Sequence, residues 1–225
     1  MSPINIGLIF VAVLNLGMAL LIWLRNPKNK INISFALTIF FLATWTFSIS
    51  VFREATTVLG AWIWTWVQNG SGALVVIPFF LFTNYFPHQG FRFTLLHKFV
   101  IGISISVVLW VVITPGLWTE QIVLMPYAND YYNNRWGLGY FTIHFYTYLI
   151  YSFYLLYNKF SNSSGFTRKQ ISIVMIAMGA IAIFGSFFGV IVPLILGRVG
   201  PYWLGPYFSI IMICFLVYFI FFYKK

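Results

Sequence analysis

Charge is what this chain has least of. Only 7% of its 225 residues are Asp, Glu, Lys or Arg, and just three of these are acidic. A soluble globule needs a polar coat, and this composition cannot supply one. Glu54, Glu120 and Asp130 all lie between apolar runs rather than within them. Paired carboxylates for acid–base catalysis are therefore missing, as are the buried carboxylates of pumps and proton-coupled carriers. No lysine stands inside an apolar run, which excludes a Schiff-base photoreceptor. The single cysteine, Cys214, can form neither a disulfide framework nor a metal cluster. No metal-ligand spacing, phosphate loop or fixed-period repeat appears, so no catalytic residue, metal or cofactor is expected.

What is present is apolar and aromatic: 61% and 22% of residues, with a mean hydropathy of +0.89. The apolar residues fall into seven runs, at about 4–24, 33–52, 61–86, 99–114, 138–157, 171–196 and 203–223. Runs of this length without a polar stripe read as membrane spans. The expected fold is an all-α integral membrane bundle of seven helices, forming one domain over 1–225. The first run has no positive charge before it and no small-residue cleavage site after it, so it reads as a retained helix rather than a signal peptide. The longest polar interruption, 115–137, sits between spans four and five, and a small β-hairpin pairing 121–124 with 131–134 is expected there.

The basic residues decide the expected orientation. A net charge of +10 would suggest nucleic acid in a soluble protein, but here the basic groups occupy short loops, and no nucleic-acid partner is expected. With the amino terminus outside, the inner segments hold Arg25, Lys28, Lys30, Arg92, Lys98, Lys159, Arg168, Lys169, Lys224 and Lys225. The outer ones hold Arg53, Arg135, Arg198 and all three acids. That asymmetry predicts amino terminus out and carboxyl terminus cytoplasmic, in a cell membrane.

Polar groups at membrane depth are costly, so they mark candidate sites. Trp62, Trp66 and Asn69 share a face of the third span, with Gln68 on another face. Tyr140, His144 and Tyr148 form a stripe on the fifth. Asn69 lies about 12 Å and His144 roughly 9 Å along its helix from the outer end. These seven residues predict an outward-facing pocket for a small, largely apolar ligand. The bland alternative is that Trp62, Trp64, Tyr140 and Trp203 form interfacial belts, and that Asn, Gln and His bond between helices. Gly185 and Gly189 form a small-xxx-small spacing for close packing, within the bundle or in a homodimer. A small-solute transporter or channel and a ligand-free structural subunit are the rival classes.

Several short motifs carry a family resemblance. They are Arg25-Asn26-Pro27-Lys28-Asn29-Lys30-Ile31-Asn32, then Ser34-Phe35-Ala36-Leu37 and Trp45. Further along come Trp64, Ile77-Pro78 with Phe82, Arg168-Lys169-Gln170, Pro193, Leu204-Gly205-Pro206 and Tyr218. Together they resemble the seven-helix amino-terminal sensor region of bacterial histidine kinases. The resemblance implies a receptor module in a two-component system, embedded in the lipid bilayer and passing its signal to a cytoplasmic kinase. The output would leave through the last helix, at Tyr218, Lys224 and Lys225. Any kinase domain would lie beyond Lys225, so no enzymatic activity is expected of this stretch.

Overall fold

The computed structural model describes residues 2–88, 91–196 and 200–217, with side chains up to residue 215. Five of its described helices start where the sequence supplies a capping side chain. Ser2 accepts the Asn5 N–H before α1 (Pro3–Arg25), with proline in the first turn. Asn29 caps α2 (Lys30–Glu54), and Thr57 caps α3 (Val58–Leu74). Each oxygen satisfies an amide that would otherwise lack a partner. Next come α4 (Val76–Tyr85) and α5 (Leu95–Ile113), the latter capped by Thr94. Asn134 caps α6 (Arg135–Ser161), accepting from Trp136 and Gly137. α7 (Gly165–Ser186), α8 (Val192–Leu196) and α9 (Ser209–Val217) complete the helices.

Three of the apolar runs are not uniform helices. The third breaks at Val75, where Pro78 has no N–H for the carbonyl of Leu74. The sixth passes through a π-helical segment, Phe187–Ile191, whose Phe187 carbonyl accepts from Val192. Pro193 causes the misfit by leaving the Gly189 carbonyl without its usual donor. The seventh begins as a 3-10 helix, Tyr202–Phe208, with Pro206 inside it.

Among the described residues, five helical stretches are long and apolar enough to cross a membrane: Pro3–Arg25, Lys30–Glu54, Val58–Tyr85, Leu95–Ile113 and Gly165–Leu196. α6 has the length at 27 residues, but Tyr140, Tyr146, Tyr148, Tyr151, Tyr154 and Tyr157 hold down its hydropathy. The last run is described as the shorter apolar stretch Tyr202–Phe215, and residues 218–225 lie outside the described part.

α2 sits at the centre, packed against α1, α3 and α4. Its polar residues are compatible with burial because Ser34, Thr38, Thr46, Ser48 and Ser50 each donate to a carbonyl one turn back. Around it, Ile22, Phe35, Ile39, Phe79, Leu156 and Ile171 belong to the largest core cluster. Phe10, Leu20, Leu95, Phe99, Trp110 and Ile183 point outward, as side chains facing lipid would.

A two-stranded antiparallel sheet closes one end. β1 (Thr119–Val123) pairs with β2 (Asp130–Asn133), Ile122 opposite Tyr131 and Val123 opposite Asp130, with an irregularity between Thr119 and Gln121. The expected hairpin is present, one to two residues earlier than read from sequence. Asn129 fastens it to α2: its amide donates to the carbonyls of Phe52 and Ala55 at 2.8 and 2.7 Å. Behind it Gly137 meets the backbone of Leu117 and Trp118 so closely that any side chain would collide with the Leu117 carbonyl.

Candidate functional site

Beneath the hairpin, the three irregular helices meet around a cavity of about 90 Å³. Val75 and Val76 line it at the first break, Gly189, Val190 and Pro193 at the second, and Tyr202 at the third. Irregular backbone within a helical bundle is tolerated where it lines such a space. Trp45 of α2 projects into the junction. A Cβ on Gly72 or Gly189 would lie 3.5 or 3.6 Å from its ring, and one on Gly205 only 3.2 Å away. The Gly205 position also lies 3.4 Å from the Gly185 Cα, so bare backbone lets the 3-10 segment, α7 and the indole close together.

The polar end of the cavity is an ordered chain of hydrogen bonds. Tyr202 Oη donates to Gln68 Oε1 at 3.4 Å, and Gln68 Nε2 donates to Tyr131 Oη at 2.9 Å. Tyr131 Oη in turn donates to Asn69 Oδ1 at 2.8 Å, and Asn69 Nδ2 reaches Thr119 Oγ1 at 3.5 Å. The chain runs from the start of the last helix, through α3, into the hairpin. Burial of Tyr131 pushes its phenol well above the ordinary tyrosine value, which keeps the O–H available as a donor. Its ring packs edge-on against Phe52 and Tyr202, at 5.4 and 6.4 Å between centroids. Trp118, also lining the cavity, donates to Asn133 Oδ1 at 3.1 Å and lies 4.5 Å from the Phe141 ring.

Seven apolar runs, a capping hairpin and an internal polar chain describe a membrane bundle built around a site. The family model described as the N-terminal 7TM region of histidine kinase matches residues 7–224. The chain belongs to that family. It is thus a multi-pass membrane region of the histidine-kinase sensor class. No curated protein and no solved structure matches the chain.

Within this sensor region, Gln68 and Asn69 line the cavity, and both are almost fully buried. The other five residues named from sequence sit elsewhere. Trp62 and Trp66 pack against one another with tilted rings at 6.1 Å and do not line the cavity, and the Trp66 N–H is buried without a partner among the described residues. His144 bridges helices: Nδ1 is 3.0 Å from Ser104 Oγ on α5, and Nε2 is 3.2 Å from the Ala73 carbonyl on α3. Tyr148 stacks edge-on between His144 and Phe80, and Tyr140 packs beside Phe141 and Leu138. Tyr218, Lys224 and Lys225 lie outside the described residues.

The sequence reading overlooked Trp45, Trp118, Tyr131, Asn133 and Tyr202 as site residues. Tyr131 and Asn133 have i, i+2 spacing, which puts both on one face of β2, and both are buried. That alternation was the available signal. Among the described residues no three His, Cys, Asp or Glu side chains gather where they could hold a metal ion.

Proposed function

We propose that this chain is a transmembrane receptor module that takes a small, largely apolar ligand into the cavity under the hairpin. It passes the occupied state through the seventh helix to a cytoplasmic histidine kinase. In this reading the chain is one seven-span domain with its amino terminus and hairpin outside. The last helix leads Tyr218, Lys224 and Lys225 toward the cell interior, and the sensor portion is not itself catalytic. The observation that carries the reading is the hydrogen-bond chain Tyr202–Gln68–Tyr131–Asn69. It joins the root of the output helix to the hairpin across the wall of the cavity.

A ligand that fits one packing of these elements better than another shifts their equilibrium by that difference in affinity. The helix irregularities at the junction give such a shift somewhere to act, because π and 3-10 segments can exchange with regular helix over short distances. The test is a fusion of the chain to a kinase reporter in membranes. Gln68→Ala and Asn69→Ala are expected to change resting output and blunt its response to medium components, with surface expression retained. Wild-type output and response in both variants would refute the site. Solute flux in liposomes carrying the purified protein would instead favour a transporter.

A further inference from the structure

The cavity's polar end is unevenly supplied. Every hydroxyl lining it has already committed its hydrogen: Tyr202 to Gln68, Tyr131 to Asn69, and Thr38 to the Ser34 carbonyl. The amide groups have not. A primary amide carries two N–H donors. Gln68 and Asn69 each spend one, on Tyr131 and on Thr119. Reversing both amides gives the same result, since the chain then runs the other way and still uses one N–H of each.

Asn133 accepts from Trp118, and its own N–H₂ donates to no described residue. The Trp45 indole N–H, beside Gly72 of α3, also has no acceptor among the described residues. Four side chains with unspent N–H groups thus line a space whose other walls are Leu42, Phe79, Phe141, Ile181 and similar side chains. Among the described residues no Lys, Arg, Asp or Glu lines it. An anion there would lack a counter-charge, and burying an unpaired charge costs far more than burying a dipole.

We infer that the cavity under the hairpin binds a small uncharged carbonyl compound, its apolar body among the aliphatic and aromatic walls and its carbonyl oxygen accepting from Gln68, Asn69, Asn133 or Trp45. This deepens the receptor reading and rests on it for the meaning of occupancy, not for the binding itself. A bare hydrocarbon leaves these donors unpaired. An ammonium brings donors where donors are already in excess. A cavity that holds benzene measures about 150 Å³, so a six-atom ketone fills this one and presses on the walls that Trp45 and Tyr202 form.

The test uses the whole chain in lipid nanodiscs with pentan-2-one, ¹³C-labelled at the carbonyl, against pentane, pentanoate and pentylammonium. The ketone is expected to bind about tenfold more tightly than pentane, one net hydrogen bond's worth. Its carbonyl infrared band should fall below its frequency in protein-free nanodiscs. Trp45→Phe removes one donor and leaves every hydrogen bond described above in place. Asn133→Leu, combined with Trp118→Phe so that the freed indole N–H does not take its place, removes another without touching the Tyr202–Gln68–Tyr131 chain. Either variant should cut the ketone-to-pentane ratio severalfold and return part of the band toward the protein-free frequency. Equal affinity for ketone and pentane, an unshifted band, or tighter binding of either ion overturns the carbonyl assignment and leaves the receptor reading standing. Failure of all four probes to bind overturns both the assignment and the ligand site of the receptor reading.

Discussion

Tyr131 concentrates the logic of the site in one side chain. It comes from a surface hairpin, yet its ring is buried against Phe52 and Tyr202 and its hydroxyl both accepts from Gln68 and donates to Asn69. Removing that oxygen leaves a donor and an acceptor buried without partners, a larger penalty than the value of the bonds themselves. Tyr131→Phe is therefore expected to destabilise the protein by about 1–3 kcal/mol, read as a lowered melting temperature in detergent. A melting curve unchanged from wild type would mean that water replaces the hydroxyl. At this scale the sequence was partly legible. Gln68 and Asn69 stood out because amides inside an apolar run are rare, and a partner for them was expected. That the partner is a tyrosine from the hairpin depends on the exact strand register, which periodicity fixes only to within a residue or two. His144 stood out for the same reason, and the structure places it in a bridge between α3, α5 and α6 rather than on the cavity wall.

Among the elements, α4 shows how the end remote from the hairpin is held. Its last carbonyls have no amide beyond them. Lys159 of α6 supplies the missing donors, reaching Thr83, Asn84 and Phe86 carbonyl oxygens at 2.6, 3.1 and 2.5 Å. An ammonium at a helix C-terminus also meets the negative end of the helix dipole. Lys159→Met keeps the aliphatic stem and removes all three bonds. It is expected to cost about 1–3 kcal/mol and to speed amide exchange in 83–86, observed by hydrogen–deuterium mass spectrometry. Exchange rates equal to wild type would show that the lysine is dispensable. By sequence Lys159 counts among the loop cations, because charge counting registers position along the chain and not the carbonyl across from it. Asn84 is buried, its amide bonded to the Phe80 carbonyl. Asn15 of α1 bonds to the last helix, donating to Ser209 Oγ at 2.7 Å.

On the whole molecule, the helices alternate in direction, and this sorts the described cations by end. Arg53 and Arg135 lie at the hairpin end with Glu54, Glu120 and Asp130. Arg25, Lys28, Lys30, Arg92, Lys98, Lys159, Arg168 and Lys169 lie at the other, where Lys30 sits over the Tyr85 ring. Arg53 is no solvated loop charge: it is buried, donates to Asn5 Oδ1 at 2.9 Å and rests 5.6 Å above the Trp203 ring. The positive-inside tendency then predicts that the hairpin end faces outward. In a Cys214→Ser background, Tyr127→Cys should react with an impermeant thiol reagent on intact cells, and Lys28→Cys only after the membrane is opened. The opposite labelling would invert the receptor and refute the direction of signalling proposed above.

The sequence by itself determined the class of molecule, because apolar run length and missing charge are properties of composition and order that no packing can alter. It likewise determined the sorting of cations by end, since strictly alternating helices leave successive loops on opposite sides. Only the tertiary structure decided where the site is. The cavity lies where three interrupted helices come together, at Val75–Val76, Gly189–Pro193 and Tyr202, and glycines at 72, 189 and 205 admit Trp45 between them. Each interruption is a local fact that sequence displays. Their meeting around one space depends on helix rotation and depth, which arise from side chains packing against distant neighbours.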